Sequence, residues 1–443
     1  MKTKLYSLFF LFIIVFGTVS MKSQTKNSQL DSLFQILDAN NQAMGSIAIL
    51  KDGNLEYENA IGFKSFADSI PADTNTLYKI GSITKTYTAT LVMQLVENDK
   101  LQLDQKLSDF YPQVRNADSI SIEMLLKHRS GIFNFTAEEG YLDRAEKPTS
   151  KQEILDRIFS FKSDFEPGSQ FQYSNSNYLL LTFILEDITD QSYQQLLQEK
   201  IVDKLSLKNT YFDFPDTRTF SYLPADPWNK EMDTDASVPR GAGSIVSTAG
   251  EVAKFYHALF NEKLVSQQSL QKMKKIQDGY GMALVKMPFY DKTSYGHGGG
   301  IDGFQSRAAY FPESNVTIAY LTNGVNYPLN DVIIKSLEIF FEKDFTYPDF
   351  SNMYKHSSSE LNAFTGTYSS DQFPLDIDIM HKDGQLKGQA TGQPEFPLRS
   401  VAKNTFEFKQ AGLKIEFKPD SNSLILQQMG QSFTLKKATS DKK

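Results

Sequence analysis

The segment Gly81-Ser82-Ile83-Thr84-Lys85 constrains the fold more than any other part of the sequence. Residues 78–80 before it have the composition of a strand end, and apolar residues after it recur with the spacing of a helix face. Ser82 is therefore predicted to lie on the first turn of a buried helix, with Lys85 on the same face. The chain must bring a strand end, a glycine and a buried helix together at this point.

A serine and a lysine on one helix turn can perform acyl transfer. Serine needs a nearby base to become a nucleophile. Partial removal from water lowers the pKa of a lysine, and the neutral amine that results can accept the serine proton. The start of a helix also offers free N–H groups that favour an oxyanion. The same spacing recurs at Ser23–Lys26, Ser269–Lys272, Ser400–Lys403 and Ser440–Lys443. The context of Ser82 distinguishes it, and an ordinary helix start is the alternative.

Length and composition exclude several classes of protein. A chain of 443 residues with 40% apolar and 22% charged residues predicts two or three packed domains. The net charge of −7 provides no basic surface, so we expect no nucleic-acid partner. Cysteine is absent, which excludes disulfides, cysteine nucleophiles and thiolate metal sites. We expect neither a cofactor nor a metal.

Residues 1–23 predict a signal peptide. Lys2 and Lys4 precede an apolar run from Leu5 to Phe16, and small residues follow up to Ser20. The run is short for a bilayer span, so an uncleaved anchor is the lesser alternative. We expect an exported protein, periplasmic or extracellular, with no membrane span after cleavage and with possible cell-wall contact.

The flanking segments predict a sheet. Residues 28–38 have the pattern of an amphipathic helix, and Asp52-Gly53 between two strand-like runs predicts a β-hairpin. Residues 295–304 hold the densest glycine cluster, Gly298-Gly299-Gly300 included, and further strands follow to about residue 322. A glycine run entering a strand lets a ligand approach the backbone, although a structural bulge is the alternative. Together these segments predict a mixed, largely antiparallel sheet.

Tyr173-Ser174-Asn175 lies where a predicted strand, Phe171–Tyr173, precedes a predicted helix, Tyr178–Ile188. Side chains at such a junction are exposed to ligands, which favours a functional role. A core tyrosine beside a helix-capping asparagine is the alternative from this pattern alone.

The residue pattern changes at about residue 351. Ser357-Ser358-Ser359 has the composition of a linker, and short alternating strands then recur at intervals of about 8–12 residues. This spacing predicts a small all-β sandwich or barrel over residues 351–443. No catalytic set is apparent there.

In this order, the motifs resemble those of serine hydrolases with the class C β-lactamase and penicillin-binding-protein fold, a family that includes D-aminopeptidases and esterases. They are Ser82–Lys85, Leu125–Gly131, Tyr173–Tyr178 and His297–Gly299, and the resemblance covers roughly residues 25–345. It implies an α/β (α+β) domain over 24–350: an antiparallel sheet flanked by helices, with a helical subdomain at about 86–235. Residues 351–443 resemble the lipocalin-like β-barrel often appended to such enzymes.

The resemblance also implies roles for single residues. Ser82 would be the acylated nucleophile, and Lys85 with Tyr173 would form the proton network, in which Tyr173 would be the general base or its partner. The oxyanion hole would consist of the backbone N–H groups of Ser82 and Gly300. Three further positions would bind the substrate: Asn175, His297 and Gly299.

The third motif departs from the β-lactamase pattern, in which a lysine and a hydroxyl residue help to bind the substrate carboxylate. Here His297 and Gly298 occupy these positions, and a histidine supplies less fixed charge. This favours an esterase or peptidase that acts on another small-molecule or peptide substrate. A β-lactamase or penicillin-binding D-Ala-D-Ala peptidase is the first alternative, and a non-catalytic binding protein on the same fold is the second.

Overall fold

The computed structural model describes residues 25–215, 218–224, 228–350, 356–382, 384–393, 395–408, 411–428 and 431–438. The predicted signal peptide lies outside these residues. The chain forms two compact units, one running to Leu223 and from Lys230 to Thr346, the other comprising Pro224–Asn229 and the chain from Tyr347 onward. Among the described helices, none combines the length and the apolar character needed to cross a bilayer.

The chain before residue 347 contains the following elements. Its helices are α1 (25–39), α2 (Thr84–Glu97), α3 (Ile122–Leu126), α4 (Tyr141–Ala145), α5 (Lys151–Ser160), α6 (Asn175–Thr189), α7 (Tyr193–Leu197), α8 (Asp203–Leu205), α9 (Ala249–Phe260), α10 (Gln267–Met273) and α11 (Leu329–Phe340). Its strands are β1 (Ala43–Lys51), β2 (Asn54–Ile61), β3 (Phe63–Ser65), β4 (Ile70–Pro71), β5 (Tyr78–Lys79), β6 (Tyr222–Leu223), β7 (Asn229–Lys230), β8 (Val246–Ser247), β9 (Val285–Phe289), β10 (Lys292–Ile301), β11 (Phe304–Phe311) and β12 (Val316–Val325).

The main sheet has six strands in the order β2-β1-β12-β11-β10-β9. Every pairing in it is antiparallel, so the expectation of a mixed sheet is wrong and that of an antiparallel sheet is confirmed. The predicted β1–β2 hairpin is confirmed, and its turn residues Asp52 and Gly53 have φ angles of 53° and 80°, as a type I′ turn requires. All of β12 is buried, and helix α9 packs against β1, β11 and β12.

Helix α2, which follows Ser82, is enclosed on all sides. Its first ten residues, Thr84 to Met93, are all buried, which agrees with the predicted buried helix. The threonines tolerate this burial because their hydroxyls find acceptors: Thr86 donates to Ala283 O at 3.0 Å and Thr88 to Gly241 O at 2.6 Å. A fully buried helix gives Ser82 a rigid support.

The segment before α6 differs from the prediction. Phe171–Tyr173 is not a strand, because it pairs with no other strand that the structure describes and bonds instead through Gln172 N to His128 O at 3.0 Å. Helix α6 begins at Asn175, three residues earlier than expected. The hydroxyls of Ser174 and Ser176 both donate to Phe133 O, so these serines hold a neighbouring loop and do not cap the helix.

The second unit contains a closed barrel, as predicted. One helix, α12 (Ser358–Phe364), precedes the strands β13 (Gly366–Ser370), β14 (Phe373–Lys382), β15 (Gln385–Ala390), β16 (Phe396–Ala402), β17 (Thr405–Phe408), β18 (Leu413–Lys418), β19 (Ser423–Gln428) and β20 (Gln431–Lys437). The barrel closes where β13 pairs with β20. The linker interpretation is wrong, because Ser357 and Glu360 form a capping box that starts α12. Leu361 and Phe364 of α12 pack with the residues that fill the barrel.

Candidate active site

Ser82 lies on a single 3-10 turn, Gly81–Ile83, between β5 and α2. The glycine before it has a φ of 51°, in the left-handed region that favours glycine. A Cβ atom on Gly81 would lie 2.7 Å from the nitrogen of Gly300. Glycine is therefore needed both for the turn and for the close approach of β10.

Lys85 is fully buried and its side-chain amino group makes three hydrogen bonds. Nζ lies 3.0 Å from Ser82 Oγ, 2.7 Å from Asn175 Oδ1 and 2.7 Å from Ala242 O. Burial lowers the pKa of Lys85 well below its ordinary value, which favours the neutral amine. A neutral amine has two N–H groups and one lone pair. The two carbonyl oxygens can only accept, so they take the N–H groups and the lone pair faces the Ser82 hydroxyl.

Tyr173 adds a buried hydroxyl with no hydrogen-bond partner among the described residues. Its ring centre is 5.0 Å from Lys85 Nζ, and the nearby Ser82 hydroxyl favours its ionised form. Burial is the larger effect and raises the pKa of Tyr173 above its ordinary value. The phenol therefore remains protonated at neutral pH and is available as a proton donor.

Asn175, the first residue of α6, holds Lys85 in place. Its Oδ1 accepts from Lys85, while its Nδ2 lies 3.2 Å from both Asn134 Oδ1 and Thr136 Oγ1. Asn134 Oδ1 also accepts from Asn175 N at 2.9 Å. The side-chain amide is thus oriented from the loop of residues 133–136, which the sequence did not identify. The predicted contact of Asn175 with the substrate stays a prediction.

The glycines of β10 press against the Ser82 turn. A Cβ atom on Gly299 would lie 2.0 Å from Ile80 O, whereas one on Gly300 would meet nothing within 4 Å. Strand β9 pairs with β10 only as far as Gly296, so the edge at Gly299 and Gly300 is not covered by it. The structure therefore brings the two residues of the predicted oxyanion hole, Ser82 and Gly300, next to each other beside open space.

His297 lies on β10, is 5% exposed and is held at both ring nitrogens. Nε2 is 2.8 Å from the Tyr280 hydroxyl, and Nδ1 bonds to Gly298 O. Burial lowers the pKa of His297 to about 3, so the ring is neutral at pH 7. Sequence analysis missed Tyr280, because nothing local separates it from the other tyrosines among the 21 in the chain.

A buried ion pair joins the two sides of the site. Lys79 Nζ lies 2.9 Å from Asp302 Oδ2 and also bonds to Asp233 Oδ1 and Thr234 O. The side chains of Lys79 and Asp302 are 3% and 2% exposed. Thr234 donates its backbone N–H and its hydroxyl to Asp302. This pair, which the sequence did not identify, connects β5 before Ser82 to the turn after β10.

A serine that faces the lone pair of a buried lysine, at the edge of an antiparallel sheet flanked by helices, defines a serine hydrolase of the β-lactamase and penicillin-binding type. The chain belongs to the Beta-lactamase family, which matches residues 30–335. The resemblance found in the motifs is therefore confirmed.

Known relatives include penicillin-binding and D-alanine-releasing proteins. A penicillin-binding protein of Bacillus subtilis (strain 168) is 22% identical over 427 residues, which cover 89% of this chain and 94% of that protein. A teichoic acid D-alanine hydrolase of Staphylococcus aureus (strain NCTC 8325 / PS 47) is 27% identical over 309 residues, 66% of this chain and 73% of that protein. The D-amino acid amidase of Ochrobactrum anthropi SV3 shares the fold, with a TM-score of 0.62, 24% identity and coverage of 71% of this chain and 99% of that one.

Proposed function

We propose that the protein hydrolyses ester or amide bonds through an acyl-enzyme formed on Ser82. The observation that carries the proposal is the environment of Lys85, whose two neutral acceptors, Asn175 Oδ1 and Ala242 O, leave its lone pair for the Ser82 hydroxyl. A buried amine with this geometry is a general base. An intact site of this kind disfavours the alternative of a non-catalytic binding protein.

The residues suggest one sequence of steps. Lys85 takes the proton of Ser82 Oγ, and Oγ attacks the substrate carbonyl carbon. The N–H groups of Ser82 and Gly300 stabilise the oxyanion, a contribution worth a factor of about 10²–10³ per donor. As the carbon–leaving-group bond breaks, Tyr173 donates its proton to the leaving group and recovers one from Lys85. Water then hydrolyses the acyl-enzyme by the same steps in reverse order.

Two classes of substrate deserve the first tests. The staphylococcal relative is named for D-alanine release from teichoic acid and the amidase for amides of D-amino acids. D-alanyl esters and D-amino acid amides therefore form the first panel. A β-lactamase or D-Ala-D-Ala peptidase remains the alternative, and the neutral His297 weakens it because a fixed positive charge is missing there.

Covalent labelling tests the mechanism. The intact mass is measured after incubation with a fluorophosphonate and, separately, with a penicillin, and each adduct is mapped to a peptide. An adduct on Ser82 from the fluorophosphonate alone supports an esterase or amidase, while adducts from both restore the penicillin-recognising alternative. No adduct at Ser82 from either reagent would refute the proposal. Ser82→Ala, which should fold and bind neither reagent, is the control.

Export is part of the proposal. Its support is the charged, apolar and small-residue order of residues 1–23. Fractionation of the producing cells, with N-terminal sequencing of the purified protein, tests it. A protein that keeps Met1 and remains in the cytoplasm would contradict export.

A further inference from the structure

The amino groups of the two lysines nearest Ser82 in the sequence already have hydrogen-bond partners within the protein. Of the two lysines that flank Ser82 in the sequence, Lys79 bonds to Asp302 and Asp233, and Lys85 bonds within the site to neutral acceptors. Asp233 pairs with Arg218 as well, so the two cations of this cluster are balanced by two carboxylates. A ligand at Ser82 therefore meets neither lysine as a free cation.

The third motif adds no cation either, because hydrogen bonds fix the tautomer of His297. Gly298 O can only accept, so Nδ1 of the ring carries a proton. The neutral ring then has a bare Nε2, which accepts the hydrogen bond from the Tyr280 hydroxyl at 2.8 Å. Both nitrogens are used within the protein, and no N–H of the ring is left for a substrate.

Tyr280 is itself held firmly. Its ring packs edge-on against Tyr173 at 6.1 Å and against His128 at 4.9 Å between centroids. It also meets the His297 ring at 90° and 5.6 Å. The ring packing holds the Tyr280 hydroxyl 2.8 Å from Nε2 of His297.

We infer that Tyr280 determines specificity by occupying Nε2 of the neutral His297 ring, and that the site takes acyl esters or amides with no carboxylate next to the scissile bond. The inference rests on the proposed function and names its substrate class. Among the residues that the structure describes, a carboxylate next to Ser82 would find neither flanking lysine as a free cation nor a free imidazole N–H on His297, and a charge removed from water without a partner is strongly unfavourable. Uncharged and cationic substrates avoid this cost.

Arg307 could pair with a substrate carboxylate if its side chain faced Ser82, but it lies on the other face of the sheet. It pairs with Gly298 across β10 and β11, and neighbouring residues of a strand point to opposite faces. Ser306, next to it, donates to Ile80 O and so faces the nucleophile turn. Arg307 instead donates to Asn330 Oδ1 of α11 at 2.9 Å.

Two esters test the substrate class. They share one acyl group and differ at the leaving alcohol, which is lactate with a free carboxylate or lactamide without it. We expect kcat/KM of the wild type to be about tenfold or more higher for the lactamide ester, the factor lost when a charged group lacks its hydrogen bond. Tyr280→Phe should narrow this ratio, because a bare Nε2 can then bind a proton beside the carboxylate. Tyr193→Phe, which removes another buried hydroxyl, bonded to Thr88, should keep the wild-type ratio.

The outcomes separate this inference from the proposed function. No hydrolysis of either ester would overturn both, whereas equal rates on both esters in the wild type would overturn only the substrate class. A preference for the lactate ester that Arg307→Gln abolishes would assign the carboxylate to that arginine instead. Nitrogen-15 NMR of histidine-labelled protein tests Tyr280 without any substrate: a neutral Nδ1–H ring for His297 at pH 7 supports its role, and an Nε2–H or doubly protonated ring refutes it.

Discussion

Replacing Asp302 with asparagine should loosen the two halves of the candidate oxyanion hole while keeping the shape of the side chain. Lys79 lies three residues before Ser82, and Asp302 lies two residues after Gly300. The asparagine can still accept the hydrogen bond from the Thr234 hydroxyl, but it offers no negative charge to the Lys79 ammonium group. The link between the nucleophile turn and the end of β10 is thereby weakened.

The size of the effect follows from the burial of the pair. Removing one partner of a buried ion pair costs about 3–5 kcal/mol, because the other charge stays buried. Lys79 keeps a second carboxylate, Asp233, whose side chain is 33% exposed, so we expect the lower end, about 3 kcal/mol. Turnover should fall as well, by up to a factor of about 10²–10³ if one backbone donor is displaced.

Urea unfolding followed by circular dichroism measures the loss of stability, and kcat for an uncharged ester measures the loss of turnover. The control is the double variant Lys79→Met with Asp302→Leu, in which apolar packing replaces the pair. This variant leaves no unpaired ammonium group, but the N–H and hydroxyl of Thr234 lose their acceptor, so its stability should recover only in part. Its kcat should stay low, because apolar packing does not fix the spacing of the backbone donors. Wild-type kcat in the single variant, or recovery of kcat together with stability in the double variant, would refute the positioning role.

Lys85→Ala and Tyr173→Phe should each lower kcat by orders of magnitude, and steady-state kinetics should show that the double variant loses little more than either, because both residues move one proton; additive losses would contradict this. Gly81→Ala should reduce turnover strongly, since its Cβ would lie 2.7 Å from a backbone nitrogen of β10, whereas Gly250→Ala, whose Cβ would meet nothing within 4 Å, should match the wild type in the same assay. Burial lowers the pKa of His297 from 6.5 to about 3, so the unfolded state binds more protons between these values and the free energy of unfolding should fall as the pH drops through them. His297→Gln should make this fall shallower in urea unfolding at several pH values, and an unchanged slope would show that the ring is not buried as a neutral group.

The parts of the fold that depend on local physics could be predicted from the sequence. The hairpin at Asp52-Gly53 follows from two residues that tolerate left-handed backbone, and both adopt it. Ser82 and Lys85 meet because they are three positions apart on one helical turn, and Nζ lies 3.0 Å from Oγ. The glycines of the third motif predicted that a ligand approaches the backbone, and at Gly299 the protein's own backbone does so, because a Cβ atom there would lie 2.0 Å from Ile80 O.

The rest depends on contacts between distant residues. Lys79 and Asp302 are 223 positions apart, and no local sequence pattern around either residue predicts that they form an ion pair. Tyr280 reaches His297 only because β9 and β10 bring their segments together. Strand β16 contains Pro397, a residue that usually argues against a strand, and this proline is exposed.

The main sheet has a consequence for the order in which the chain folds. Its pairing of β1 with β12 sets Ala43 opposite Val325, so β1 cannot complete its hydrogen bonds until the helices and the strands β9–β11 between them have been synthesised. Contacts this far apart in sequence must offset a large loop-closure entropy before they add stability, which makes such a sheet slow to form. Until then the β1–β2 hairpin presents an unpaired strand edge that other chains can join. An interruption of synthesis before residue 325 should therefore leave an aggregating chain instead of a folded fragment.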